Sequence, residues 1–286
     1  MKIIILKGGL GNQLFQVAYA CYLAKKKQQR ITLLTGLLGS YQAKRAFYFS
    51  DYFGNGKDNV KVKSSLVLAY LIRVFAFMLE PLFPRSIFME SSKKYSSEQN
   101  LQSAFIIDAY LQNFNDSDYF HFLLHDPSFA EFLKASLKPY FDPWQKEVLT
   151  QSICLHIRGT DLKNLFNEAA LKLTVKQLLD QLAGQYSTET ITVVTDDVNF
   201  AQTLIAPAAK VSFQSKNWQV DFLTLANARL MGLIDSTFSI WAGLYGLIVV
   251  QQGTMVASPL CIQKYPLLSY LHQQEKIKSL EDTPWK

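Results

Sequence analysis

The chain of 286 residues is 49% hydrophobic and 13% aromatic, with a formal net charge of +6. That composition excludes a disordered chain and allows one large or two mid-sized α/β domains. Cys21, Cys154 and Cys261 lie far apart and form no CxxC or Cys/His spacing, which argues against a disulfide framework or a structural zinc site and for a reducing cytoplasm.

The chain opens MKIIILKGGLGNQLFQ. Its apolar run, Ile3–Leu6, is short and lacks a small-residue cleavage site, so no signal peptide is expected. A strand over Lys2–Lys7 breaks into a glycine turn, and a helix over Gly11–Gln28 and a strand over Arg30–Leu34 follow. Such a turn points backbone N–H groups at an anion. A dinucleotide fingerprint fails, because Leu14 stands where the third glycine belongs and no acidic residue closes the second strand. A P-loop fails because no Gly-Lys-Ser/Thr follows. Asn12 and Gln13 stand in the first helical turn, where their amides suit sugar hydroxyls or phosphate oxygens; the plain alternative is a capping turn.

Charge is uneven. Residues 1–94 hold 15 Lys/Arg against 4 Asp/Glu (+11), and residues 95–286 hold 14 against 19 (−5), giving the net +6. The basic part reads either as a solvated surface or as a face for anionic polymer, membrane or substrate. Within it, Ser65–Phe83 is almost wholly apolar, interrupted by Arg73 and closed by Pro81 and Pro84. A buried helix is expected there; a helix lying on the cytoplasmic membrane, helped by Lys57, Lys61 and Lys63, is the second reading, and a true span the least fitting. A strand over Ala104–Ile107 and a helix over Asp118–Ser136 complete this half, and the two prolines of Lys138–Gln145 mark a junction. The expected domains are therefore residues 1–140 and 141–286.

Beyond the junction, strand and helix patterns alternate. Strands are expected at Ser152–Ile157, Thr190–Thr195, Lys210–Phe213, Leu230–Ile234 and Leu247–Gln251, with helices at Thr174–Gln185, Val198–Ile205, Gln219–Ala228 and Phe238–Tyr245. This order implies a doubly wound parallel sheet. The first strand runs into CLHIRGTDLK, which places His156 and Arg158 on one side of its carboxyl edge, where open α/β sheets bind ligands. Arg158 offers a planar donor fork for a diphosphate, and Asp161 can pair with a cation or cap the next helix. The plain alternative is an Arg158–Asp161 ion pair and a core histidine.

GGLGNQLFQ together with HIRGTD resembles glycosyltransferase family 11, the α-1,2-fucosyltransferases, which carry GGLGNQ and HIRRGD. In matching order, Asp108–Phe120 (DAYLQNFNDSDYF) is similar to the family's GYxQ…YF segment, and Val193–Asp197 (VVTDD) to its FSDD. Asp221–Gly243 (DFLTLANARLMGLIDSTFSIWAG) resembles its DLxLMSxCxxxIIANSSFSWWAA. The matches run in patches from about residue 3 to 245.

The resemblance implies a GT-B-like α/β fold, with two Rossmann-like domains facing across a cleft. Residues 1–140 would handle the acceptor and residues 141–286 a GDP-sugar. It implies an inverting transfer of L-fucose, or of a relative such as colitose, from the GDP-sugar to a hydroxyl of an oligosaccharide. O2 of galactose in polysaccharide, O-antigen or lipopolysaccharide synthesis is the favoured target; a non-catalytic GDP-sugar or glycan binder is the alternative. Arg158 falls on the family's principal diphosphate-binding arginine. His156 and Asp196 fall near the guanine or ribose, and Ser236, Thr237, Phe238 and Ser239 on the phosphate-gripping helix start. Gly9, Gly11, Asn12 and Gln13 fall on the N-terminal loop that meets sugar and phosphate. The catalytic set implied is Arg158, Asp161 and Asn12, with Glu168 and Asp118 as further candidate bases. No metal or other cofactor is expected: the adjacent acids Asp196 and Asp197 suit a nucleoside better than Mg²⁺. No nucleic-acid partner is expected, and the location implied is cytoplasmic, with peripheral contact at the inner membrane face. Departures stand at Gly159, where the family has a second arginine, at Thr160, Asp235 and Ile240. Lys163 is near enough in sequence to compensate for the missing arginine.

Overall fold

The computed structural model describes residues 1–39, 45–54, 59–83, 85–89, 101, 103–150, 152–159, 167–185, 189–206 and 210–279. The chain divides into two units, Met1–Leu137 and Lys138–Lys286. Each is built on its own parallel sheet.

In the first unit the isoleucine-rich start forms β1 (Lys2–Ile5), followed by α1 (Leu10–Lys26) and β2 (Ile31–Leu34). Next come α2 (Ser50–Phe53), β3 (Val60–Lys63), α3 (Leu66–Leu79), β4 (Ile87–Met89) and β5 (Ile106–Asp108). α4 (Ser117–His125) follows, and then α5 (Pro127–Phe141), whose last residues, from Lys138, belong to the second unit. The sheet order is β3-β2-β1-β5-β4, with every pairing parallel. Strands in such a sheet are covered on both faces, which is why β2 is buried along its whole length. Gln16 ties the ends together: its Oε1 accepts from the Lys7 N–H (3.1 Å), and its Nε2 donates to the Ala109 carbonyl (2.8 Å).

Two expectations fail here. The single helix over Asp118–Ser136 is broken, because Pro127 forces Asp126 into an extended conformation (ψ 114). The Asp126 carboxylate then accepts from the Ser128 N–H (2.9 Å) at the head of α5. The expected junction at Lys138–Gln145 begins where the second unit begins, at Lys138, and its backbone is helical, comprising the last turn of α5 and a 3-10 helix over Asp142–Glu147. α3 is the second failure. Only Ala69 and Ala76 are fully buried, since the sheet covers just one side of this helix.

The second unit carries β6 (Ile153–Ile157), α6 (Glu168–Gln185), β7 (Ile191–Thr195), α7 (Val198–Leu204) and β8 (Val211–Gln214). Then follow α8 (Trp218–Ala226), β9 (Leu230–Leu233), α9 (Thr237–Tyr245), β10 (Thr254–Ala257), α10 (Pro259–Lys264), α11 (Pro266–Gln273) and β11 (Ile277–Ser279). The order β8-β7-β6-β9-β10-β11 is all parallel and doubly wound, as alternating strands and helices require. Its core joins Ile153, Leu155, Val175, Leu178, Val193 and Val256. The strand expected at Leu247–Gln251 is absent. That apolar run extends α9 as a π-helical turn over Gly246–Val250, ending where Gln251 turns left-handed (φ 59), and the true strand begins at Thr254. Gly246 permits this, because a Cβ there would lie 2.6 Å from the Ala226 carbonyl oxygen.

Candidate functional site

In an open parallel sheet, a crevice forms beyond the carboxyl ends of two neighbouring strands whose connections run in opposite directions. β6 leads outward to β7, and β9 leads the other way to β10. The β6–β9 register runs parallel up to Leu155 with Gly232, so Arg158, which follows β6, and the start of α9, which follows β9, both lie beyond the carboxyl ends of neighbouring strands. The sequence residues His156, Arg158 and Ser236–Ser239 therefore gather at one sheet edge.

His156 is 6% exposed, and its ring centroid lies 5.5 Å from that of Phe238. Its Nδ1 is buried with no hydrogen-bond partner among the described residues. Burial, aided by the Arg158 charge and opposed by Asp196, pushes its pKa down to about 4, so the ring is neutral at pH 7. Arg158 itself is half-buried. Beyond it, the Gly159 N–H donates to Asp196 Oδ1 at 2.6 Å. A Cβ at Gly159 would meet the Asp197 Cβ at 2.5 Å. Position 159 is closed to a side chain in this backbone arrangement. Asp197 caps α7, accepting from the Phe200 N–H (2.9 Å).

At the head of α9, Ser236 is the N-cap residue, yet its side chain makes no capping bond. Its hydroxyl oxygen is buried and has no partner among the described residues. Thr237 is also buried, while Ser239 is fully enclosed and donates its hydroxyl to the Ser236 carbonyl (3.0 Å). Ser239 thus braces the turn from inside. Asp235 accepts from Tyr265 Oη (2.5 Å) and Lys264 Nζ (2.6 Å), which gives the carboxylate a buried partner that an asparagine would not need. Ile240 is fully buried in α9.

In the first unit, Gly8 has φ +83, and a Cβ there would lie 2.5 Å from Asn12 Nδ2 and 2.9 Å from Tyr110. Only glycine fits. Gly9 is the N-cap of α1, and Gly11 and Asn12 follow in its first turn, Asn12 half-buried. Gln13 turns its amide nitrogen to the backbone, while its buried Oε1 has no hydrogen-bond partner among the described residues. It is fully buried, and its Nε2 donates to the carbonyls of Gly8 (3.2 Å) and Ala46 (3.0 Å).

A cluster that the sequence did not single out stands at the carboxyl ends of β1 and β5. Asp108 lies 3.1 Å from Lys7 Nζ and 2.9 Å from Arg73 Nε, and Lys7 sits over the Tyr110 ring at 4.6 Å. The charge interrupting the apolar α3 was the available signal: Arg73 reaches back to a buried carboxylate. Of the candidate bases, Glu168 pairs with Lys172 (2.7 Å) and Asp118 with Lys27 (3.9 Å), both at the surface. Asp161, Thr160 and Lys163 lie outside the described residues. Among the described residues, no three His, Cys, Asp or Glu side chains gather to suit a metal ion.

No family model and no curated protein matches the chain. Among solved structures, it is similar to the fucosyltransferase NodZ from Bradyrhizobium at 12% identity and a TM-score of 0.48, over 87% of this chain and 92% of that one. It is also similar to a FUT1 mutant of Arabidopsis thaliana in complex with GDP, at 10% identity and a TM-score of 0.42, covering 86% and 69%. POFUT1 in complex with GDP gives 10% identity and a TM-score of 0.42, covering 90% and 97%.

Proposed function

We propose that this chain is a GDP-sugar-dependent glycosyltransferase of the fucosyltransferase type, holding the diphosphate beyond the ends of β6 and β9. The observation that carries this is the buried, unpartnered Ser236 hydroxyl at the N-terminus of α9, at the same edge as Arg158. A helix start leaves backbone N–H groups unpaired and carries positive dipole charge, so an anion is the group that satisfies it.

In the reaction, the bond between sugar C1 and the β-phosphate oxygen breaks, and C1 bonds the acceptor oxygen on its opposite face. The acceptor proton passes to a carboxylate base, for which Asp161 is our choice, and GDP departs. Arg158 and the α9 amides meet the charge that develops on the leaving diphosphate, where prepositioned donors act most strongly. His156, neutral and enclosed, and Asp196 border the nucleoside. By resemblance, the Gly9–Gly11–Asn12 turn serves sugar and phosphate, and the acceptor is a galactosyl saccharide fucosylated at O2 in O-antigen or lipopolysaccharide synthesis. No metal is assigned.

Calorimetric titration with GDP, GDP-L-fucose, GDP-colitose, GDP-mannose and UDP-sugars, with and without EDTA, tests the donor. GDP-L-fucose should bind, and galactosyl acceptors should release GDP. Arg158→Ala should weaken GDP binding by roughly tenfold or more, the worth of a charge-assisted contact. Wild-type turnover by that variant, or no affinity for GDP, defeats the assignment. The closed position at Gly159 favours one second reading, a GDP-sugar binder without catalysis; GDP binding with no release across the acceptor panel would select it.

A further inference from the structure

α3 is apolar on both sides. Leu68, Ala69, Ile72, Ala76 and Leu79 share the face that packs on Ile5, Leu34, Ile87 and Ile106. On the opposite side Val67, Tyr70, Leu71, Phe75, Phe77 and Met78 are each 53–69% exposed, and Leu82 and Phe83 prolong the stripe past the helix end. The largest apolar patch on a typical monomer covers about 300–600 Å², and eight large, half-exposed side chains in one stripe reach or pass it. A stripe of that size marks a docking surface.

Charge identifies the occupant. No Asp or Glu stands between Asn59 and Leu79. Lys61 and Lys63 are exposed on one side of the edge strand β3, directly before α3, and line a cavity of ≈ 710 Å³ with Thr35, Ser50 and Phe53. Arg85 is exposed beyond the other end. A second copy of the chain fits badly, because symmetric pairing of two such stripes sets basic ends against each other. The helix spans ~21 Å against the ~30 Å of a bilayer core. No helix among the described residues is long and apolar enough to cross a membrane.

We propose that α3 docks this chain on an anionic lipid bilayer. The exposed stripe lies in the plane of the surface at the headgroup–acyl boundary, and Lys61 and Lys63 meet lipid phosphates. This holds whether or not the second unit binds a nucleotide, and no step of transfer enters its test.

Flotation of the full chain with vesicles of equal parts phosphatidylglycerol and phosphatidylcholine, and with phosphatidylcholine alone, is the experiment. Binding should favour the anionic vesicles at low salt and fall at high salt. Phe75→Glu and Val67→Glu should each weaken it at least tenfold, roughly, and Lys61→Ala/Lys63→Ala about thirtyfold. Circular dichroism checks that the variants fold. Phe75→Trp, which keeps the stripe apolar, should show a blue-shifted indole emission on anionic vesicles. Four results overturn the proposal: no flotation of the wild type at low salt, equal binding to neutral vesicles, no change in the glutamate variants, or an unshifted indole. Dimerisation abolished by Phe75→Glu without vesicle binding would assign the stripe to a second copy and overturn it equally.

Discussion

Gly159 shows how one residue limits what a resemblance can carry. Its N–H holds Asp196 at 2.6 Å, and the space a side chain needs is filled by Asp197. Introducing an arginine by Gly159→Arg should therefore lower stability by about 1–3 kcal/mol, the cost of overpacking, without strengthening GDP binding. Denaturant unfolding and calorimetry read the two effects separately. His156 supplies the pH dependence. Its native pKa of about 4 lies below the ordinary 6.5, so between those values the unfolded chain binds a proton that the native chain refuses. Acid then favours unfolding: stability contributed by this site is full above pH 6.5 and falls by about 3 kcal/mol as pH drops to 4. His156→Gln should flatten that slope in urea melts at stepped pH.

At the scale of the element, α9 carries the nucleotide reading and α1 the glycine turn. Ser236 contributes nothing as a cap, because its hydroxyl bonds no backbone N–H of the first turn. Ser236→Ala should thus leave stability unchanged or raise it by about 1 kcal/mol, while GDP affinity falls roughly tenfold, since an unsatisfied buried hydroxyl is removed and a phosphate donor lost. A simple structural serine would show the reverse: lower stability and unchanged binding. In α1, Gln13 and Gln16 hold the turns after β1 and β5 by backbone bonds, which leaves Asn12 as the side-chain amide of that turn not committed to the backbone by a described bond.

On the whole-molecule scale, the chain forms two units, each on its own parallel sheet, and ligand effects on stability are read unit by unit. A ligand bound in the second unit stabilises that unit by mass action, about 2.7 kcal/mol at a hundredfold excess over Kd. Hydrogen exchange with saturating GDP should slow most in β6 and α9, and a uniform or absent response would count against the β6–β9 edge as the site.

The pattern of the chain was enough to place β1, α1 and β2, and β6, β7 and α7, because short β-branched runs and helical periods of buried strands and helices are local properties. Of the candidate site, Arg158 and His156 were readable from the strand end that the pattern marks, whereas Ser236, Thr237, Phe238 and Ser239 came only from the resemblance. Leu247–Gln251 was not legible, since a short apolar run has the same hydrophobicity as a strand or as the end of a buried helix, and only the contact of Gly246 with Ala226 decides. The burial of α3 was equally hidden. Periodicity tells which residues are apolar but not how many sides of a helix the sheet will cover. Tertiary structure alone turned Gln13 inward, joined Arg73 to Asp108 and closed Gly159, because each depends on a neighbour more than thirty residues away or on space that no linear pattern records.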